Sequence, residues 1–174
     1  MKIIFLDVDG VLAYSSYSNS NTANIDISKV QMIKEICDKT GAKVVISSSW
    51  KGDDKIIPDI YYILVNVLES NGIEVLGHTE YIPVEFDGDV PQSITITTLE
   101  DLPYFKSKYG TGRAAEVQKW IKEHAVDNFV ILDDEDFDWA DYGYDKHWVA
   151  PSWFECGLQR EHVDKSIKIL KGDI

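Results

Sequence analysis

The sequence predicts an α/β fold in which helices cover a buried parallel sheet. Short, largely apolar runs at residues 3–6, 43–46 and 129–132 alternate with segments whose apolar residues recur at helical spacing. Runs that are apolar on both faces are typical of strands buried inside a parallel sheet. The 174 residues are 44% hydrophobic, and neither a linker nor an internal repeat divides them. We therefore expect a single domain, residues 1–174, around one core.

The first strand and the first helix are predicted within residues 3–41. The apolar run 3–6 leads through a short acidic turn to a polar stretch at 13–27 that contains two tyrosines. We interpret this stretch as a loop or flap over a site at the end of the strand. Ser28 and Gln31 form a capping-box pattern, which predicts the start of a helix that ends at Gly41.

The middle of the chain predicts two further strands and one helix. A strand at 43–46 is followed by a helix that begins at Pro58 and ends at Asn71-Gly72, and by a strand at 73–76. Residues 78–110 carry prolines, glycines and acids, and their alternation at 93–99 suggests a hairpin strand. This segment is longer than an ordinary loop, which favours a small cap, a lid or a substrate-binding insertion.

The last third predicts two more strand–helix units. Gly112-Arg113 opens a helix, and the apolar run 129–132 is a fourth buried strand. A short fifth strand at 147–149 is closed by Pro151, and a final helix ends at Gly172.

Composition limits the classes of function. A formal charge of -13 argues against broad binding to polyphosphate backbones, although it leaves room for a local basic site. The N-terminal apolar run is too short for a signal peptide or a membrane span. Cys37 and Cys156 fit no metal or disulfide spacing, and the four histidines form no metal-binding pattern. We expect a cytoplasmic protein with no membrane partner.

Two carboxylates follow the first strand directly. Asp7 and Asp9 are two residues apart and precede Gly10, so they should project into the crevice at the carboxyl edge of the sheet. Two acids this close favour a bound divalent cation, which would also hold a phosphate. Asp7 could then attack phosphorus and Asp9 could protonate the leaving oxygen. The alternative is an ordinary turn, because Asp and Gly dominate turns.

Hydroxyl groups follow the second strand. Ser47 comes first after the apolar run and is our candidate phosphate ligand, with Ser48 beside it. Lys51 is a candidate second phosphate contact, whereas a solvated lysine is the simpler interpretation. Trp50 either packs in the core or forms a wall of the pocket.

A basic residue is expected where the helix after residue 111 begins. Arg113 would meet a phosphate at the helix N-terminus, where backbone donors and the helix dipole favour anions. The alternatives are a surface arginine, or Lys119 in the same role nearly two turns farther along the helix.

Paired acids also end the fourth strand. Asp133 and Asp134 should reach the same sheet edge as Asp7, and an oxygen-rich site of this kind suits Mg²⁺. A calcium loop is the alternative, since residues 134–138 match D-x-D-x-D. However, Trp139 and Asp145 stand where that loop requires Gly and Glu.

With these motifs in order, the chain resembles the haloacid dehalogenase (HAD) superfamily of phosphotransferases. Within it, the chain is similar to the small HAD domains of multidomain RNA repair proteins. The motifs are FLDVDGVL at 5–12, VVIS at 44–47, Gly112-Arg113 and ILDD at 131–134. The resemblance implies a three-layer, Rossmann-like parallel sheet with strand order 5-4-1-2-3. Because only about 15 residues separate the first motif from the first helix, it also implies a minimal cap, with 78–110 as the candidate insertion.

The resemblance also implies the roles of the site residues. Asp7 would be the nucleophile that forms an aspartyl-phosphate, and Asp9 the general acid and then the base. Ser47 and Arg113 would bind the phosphate, although the family more often has Lys than Arg in the third motif. Mg²⁺ would be held by Asp7, the carbonyl of Asp9 and Asp134, with Asp133 supporting it from the outer coordination sphere.

These inferences together predict a Mg²⁺-dependent phosphatase. The substrate would be a phosphorylated small molecule, a phosphoprotein or a nucleic-acid end. The net negative charge of the chain disfavours binding of a nucleic acid. The alternatives are a catalytically idle module that binds a phosphoryl group or a metal, and a phosphotransferase with an acceptor other than water. No obligate protein partner is evident.

Overall fold

One parallel sheet forms the centre of the computed structural model, which describes residues 1–51, 58–80 and 112–173. Its strands are β1 (Lys2–Leu6), β2 (Lys43–Ile46), β3 (Val75–His78), β4 (Asn128–Leu132) and β5 (Trp148–Val149). Their order is β3-β2-β1-β4-β5, and each pair is parallel. The predicted α/β class and strand order are confirmed.

Helices cover both faces of this sheet. They are α1 (Ile27–Thr40), α2 (Pro58–Ser70), α3 (Gly112–Glu123) and α4 (Arg160–Lys171). Apolar side chains of α1, α2 and α4 pack with Ile4, Leu6 and Val44 in one core cluster. On the other face, α3 packs with Ile3 and Phe5 in a second cluster. The molecule therefore has the three layers that the sequence predicted.

The start of α1 and the bounds of β3 differ most from the predicted ones, whereas β1 and β4 begin one residue earlier than predicted and β5 begins one residue later. The N-cap of α1 is Asp26, whose carboxylate accepts the backbone N–H of Ser28 at 2.8 Å, so the predicted capping box at Ser28 is wrong. The third strand runs over Val75–His78 rather than 73–76, because its pairing begins with Val75 opposite Val44.

The register of the central strands places their carboxyl ends at the same level of the sheet. Leu6, at the end of β1, pairs with Ile46 on one side and with Leu132 on the other. The N–H of Asp7 donates to the carbonyl of Leu132 at 2.9 Å. The first residues after β1, β2 and β4 therefore leave the sheet at the same height.

The predicted cap at 78–110 lies outside the described residues except for 78–80, of which His78 ends β3, and the predicted hairpin strand at 93–99 lies wholly outside them. Within the described ranges, no helix is both long enough and apolar enough to cross a bilayer.

Candidate active site

The turn after β1 is tightly built. The carbonyl of Val8 accepts the N–H groups of residues 11, 12 and 13 at 2.8–3.1 Å. Gly10 has φ +72°, and a Cβ there would lie 2.0–2.5 Å from side-chain atoms of Asp134. Only glycine lets the backbone of this turn approach the end of β4 so closely.

Three carboxylates from two strands meet at this turn. Asp7, Asp133 and Asp134 each present an oxygen, and these oxygens lie within 4.8 Å of one another. Asp7 is 4% exposed and Asp133 is 1% exposed. Carboxylate oxygens are the ligands that Mg²⁺ prefers, so the donor set fits a hard divalent cation. Among the described His, Cys, Asp and Glu residues, this is the one group of three with that geometry.

Arg113 lies between two of these acids. Its Nη1 is 2.8 Å from Oδ2 of Asp133 and 3.5 Å from Oδ2 of Asp7, and its guanidinium stacks on the ring of Phe137. Lys119, the alternative basic residue, instead pairs with Glu80. The structure therefore brings Arg113, at the N-terminus of α3, to the carboxylate of Asp7.

Burial controls the protonation of the acids. It raises the pKa of Asp7 to about 6, although Arg113 and the hydroxyl of Ser48 lower it. Burial and the charge of Asp7 raise the pKa of Asp133 to about 8. Burial also raises the pKa of Asp134. Burial therefore disfavours the charged forms of these acids, and a divalent cation bound among them would stabilise those charged forms.

Asp9 is held by an aromatic residue from the neighbouring strand end. The indole Nε1 of Trp50 donates to Oδ2 of Asp9 at 2.9 Å. Trp50 also packs against the larger core cluster. The sequence analysis considered Trp50 as a core residue or as a wall of the pocket and did not predict this hydrogen bond. The two residues lie 41 positions apart, and no local pattern in the sequence indicates a contact between them.

The serines after β2 have different environments. Ser47 is 1% exposed, and its Oγ has no hydrogen-bond partner among the described residues. The Oγ of the equally buried Ser48 accepts the backbone N–H of Trp50 at 3.3 Å. Ser49, which the sequence did not single out, lines the cavity described below.

Lys51 is neither solvated nor part of that cavity's wall. Its Nζ pairs with Glu116 of α3 and donates to the hydroxyl of Thr79 at 2.9 Å. Glu116 is 4% exposed, so this is a buried ion pair. It ties the end of β2 to the helix that carries Arg113.

A cavity of about 490 Å³ opens over these groups. Its wall consists of Asp7, Asp9, Ser49, Arg113, Asp134, Glu135, Trp153 and Phe154. Four of these residues were predicted as site residues. Trp153 and Phe154 belong to the loop between β5 and α4, where no periodic pattern predicts a contact with the site.

The 13–27 loop packs behind that aromatic pair. The backbone N–H of Ser15 donates to the carbonyl of Trp153 at 3.2 Å. Within the described part of the chain, no residue of 13–27 lines the cavity. The predicted flap thus supports the 153–154 wall rather than forming one itself.

The calcium-loop alternative is not supported by this geometry. Trp139 stands at the position where that loop needs glycine, and it is fully buried. Its backbone N–H donates to Oδ1 of Asp136 at 3.3 Å. Asp134 is grouped with Asp7 and Asp133 rather than with Asp136 and Asp138.

Comparison with known proteins adds a family to this geometry. Neither a curated protein nor a solved structure matches the chain. A family model described as "HAD domain in Swiss Army Knife RNA repair proteins" matches residues 3–163. The match includes each predicted motif, from the acids after β1 to the acids after β4. The chain therefore belongs to this family of small HAD domains, and its function is phosphoryl transfer of the HAD type.

Proposed function

We propose that the chain is a Mg²⁺-dependent phosphohydrolase that cleaves a phosphomonoester through an aspartyl-phosphate on Asp7. One observation carries this proposal: the carboxylate of Asp7 lines a cavity of about 490 Å³ beside the guanidinium of Arg113. A nucleophile next to a fixed cation is the arrangement that phosphoryl transfer needs.

The phosphate would be bound by groups from two elements. Arg113 supplies a charged, forked donor at the N-terminus of α3, and such donors bind phosphate oxygens strongly. The hydroxyl of Ser47 has no partner within the described residues, and buried hydroxyls without a partner are rare in folded proteins. This supports Ser47 as a further phosphate ligand. Lys51 as a second contact stays a prediction.

The reaction would proceed in two balanced steps. A carboxylate oxygen of Asp7 attacks phosphorus, the bond between phosphorus and the leaving oxygen breaks, and Asp9 gives its proton to that oxygen. A water molecule then attacks phosphorus, Asp9 takes the proton from this water, and the bond between Asp7 and phosphorus breaks. Inorganic phosphate leaves, and both carboxyl groups return to their starting states.

Mg²⁺ would be held by Asp7, Asp134 and the backbone carbonyl of Asp9, with Asp133 in support. When bound, it would neutralise the charge of the acids and of the phosphate. Asp133 already accepts the N–H of Glu135 at 3.0 Å and the guanidinium of Arg113, which supports an orienting role for it.

The substrate would be a phosphorylated small molecule or a nucleic-acid end. The family description refers to RNA repair, which supports the second class. The charge of -13 counts against a long polyanion and favours contact with one terminal phosphate.

The half-buried Cys37 and the exposed Cys156 are both free thiols, which supports a reducing, cytoplasmic location.

The experiment is phosphate release from an aryl phosphate, with Mg²⁺ and with excess chelator. We expect the chelator to abolish turnover and Asp7→Asn to lower it at least about 10³-fold, because Asn cannot act as the nucleophile. Asp145→Asn makes the same change at an exposed site and should keep wild-type turnover.

Thermal unfolding of each variant tests that the fold is intact. No Mg²⁺-dependent release across a panel of phosphoesters would overturn the proposal in favour of an idle binding module. Phosphate recovered on an acceptor other than water would identify a phosphotransferase.

A further inference from the structure

The indole of Trp50 is held rigidly against Asp9. Its Nε1 donates to Oδ2 of Asp9 at 2.9 Å, its backbone N–H donates to the hydroxyl of Ser48, and its ring packs against the core. The short helical turn that carries Trp50, Ser49–Lys51, is tied to α3 through Lys51 and Glu116. The indole donor is therefore held in place by the turn after β2, by the core and by α3.

This hydrogen bond makes the two oxygens of Asp9 unequal. An indole nitrogen can only donate, so Oδ2 is engaged as an acceptor. Oδ1 has no protein hydrogen-bond partner among the described residues, and Asp9 lines the cavity. Oδ1 is thus the oxygen that remains for exchange with a molecule bound there.

We propose that Trp50 is a positioning residue for the general acid–base step. Its N–H fixes the Asp9 carboxyl so that Oδ1 carries the proton. As the phosphorus–oxygen bond of the substrate breaks, its electron pair goes to the leaving oxygen and the proton on Oδ1 moves there. In the second step, Oδ1 takes a proton from the attacking water. This inference rests on the proposed function.

A packing role and a positioning role predict different kinetics. Proton donation matters little for a leaving group that is stable as an anion, and matters greatly for a poor leaving group. If Trp50 only packs, its replacement should lower all rates by the same factor. If it positions the acid, the loss should grow as the leaving group becomes poorer.

The test is kcat/KM of Trp50→Phe for p-nitrophenyl phosphate, phenyl phosphate and an alkyl phosphate with Mg²⁺. Phenylalanine keeps an aromatic ring and removes the N–H. We expect a loss within about 3-fold for p-nitrophenyl phosphate and about 10- to 100-fold for the alkyl phosphate, as general acid catalysis contributes about 10²–10⁴-fold. Trp120→Phe makes the same change in the core beside Phe5 and should keep the wild-type dependence on the leaving group.

A second measurement separates action through Asp9 from any other route. In an Asp9→Asn background, Trp50→Phe should cause less than about a 2-fold further loss, because coupled residues are not additive. Equal losses for all substrates, or a full loss in the Asp9→Asn background, would overturn the proposal for Trp50 alone. No release by the wild-type protein from any of the three would overturn the proposed function, and this proposal with it.

Discussion

Gly10 connects the two halves of the candidate metal site. It has φ +72°, and the carboxylate of Asp134 occupies the space where a Cβ would lie. An alanine there would meet two separate penalties, the backbone strain of a left-handed residue and a clash with an expected metal ligand.

We predict that Gly10→Ala weakens divalent-metal binding at least about 10-fold, since displacing a ligand costs at least about 1.4 kcal/mol. The measurement is titration calorimetry with Mg²⁺ or Mn²⁺. The control is Gly41→Ala, because Gly41 has the same φ of +72° but nothing within 4 Å of its Cβ position. Gly41→Ala should lose about 1 kcal/mol of stability, from the left-handed backbone alone, and no metal affinity. Unchanged affinity in Gly10→Ala would exclude Asp134 as a ligand.

The residues of the candidate site were predictable to the extent that strands deliver them. Asp7, Asp133 and Asp134 each follow an apolar run, and parallel strands bring their carboxyl ends to one edge. Glu135, Trp153 and Phe154 were missed because they lie in loops without periodic patterning. Phe154 is 85% exposed, so burial gave it no hydrophobic pattern to detect.

Elements of the interior were predicted better than those of the edge. The bounds of β2 and the first residue of α3 were predicted correctly. Both depend on local signals, which are a continuous apolar run for β2 and the Gly112-Arg113 pair for α3. β3 lies at the sheet edge, where its burial alternates between partial and exposed. Its position depends on pairing with β2, including an irregular register between Val44 and Val45, and that pairing is invisible in the sequence.

The Lys51–Glu116 pair gives the elements around the cavity a fixed relation. We predict that Lys51→Met lowers the free energy of unfolding by about 3 kcal/mol, because it leaves the Glu116 carboxylate buried without this cation. The same change at Lys43 should cost less than about 1 kcal/mol, because its pair with Glu74 is exposed. Urea denaturation at pH 7 measures both.

The pair also permits a compensation test. Lys51→Met combined with Glu116→Leu removes both charges, and the double variant should be more stable than Lys51→Met alone. Equal costs at Lys51 and Lys43 would contradict the inference that burial makes this pair important.

At the scale of the whole molecule, the buried acids link folding to pH and to metal. In the folded protein the pKa values of Asp7 and Asp133 rise from 3.8 to about 6 and about 8. Between pH 4 and pH 8 the folded chain therefore holds protons that the unfolded chain has released. Folding then becomes less favourable as pH rises through this range.

We predict that the metal-free protein loses at least about 2 kcal/mol of unfolding free energy between pH 5.5 and pH 8, or about 5 °C in melting temperature. Mg²⁺ should raise the melting temperature more at pH 8 than at pH 5.5, because it competes with protons for the same carboxylates. Burial lowers the pKa of His162, so protonation of this histidine below about pH 6.5 destabilises the fold and opposes the trend. The contribution of the acids is therefore measured by comparing variants. Asp133→Asn should flatten the metal-free profile measured in chelator, and Asp145→Asn should keep it. A wild-type profile that is flat or rising to pH 8, or an equal slope in Asp133→Asn, would mean that these buried acids do not control the stability of the fold.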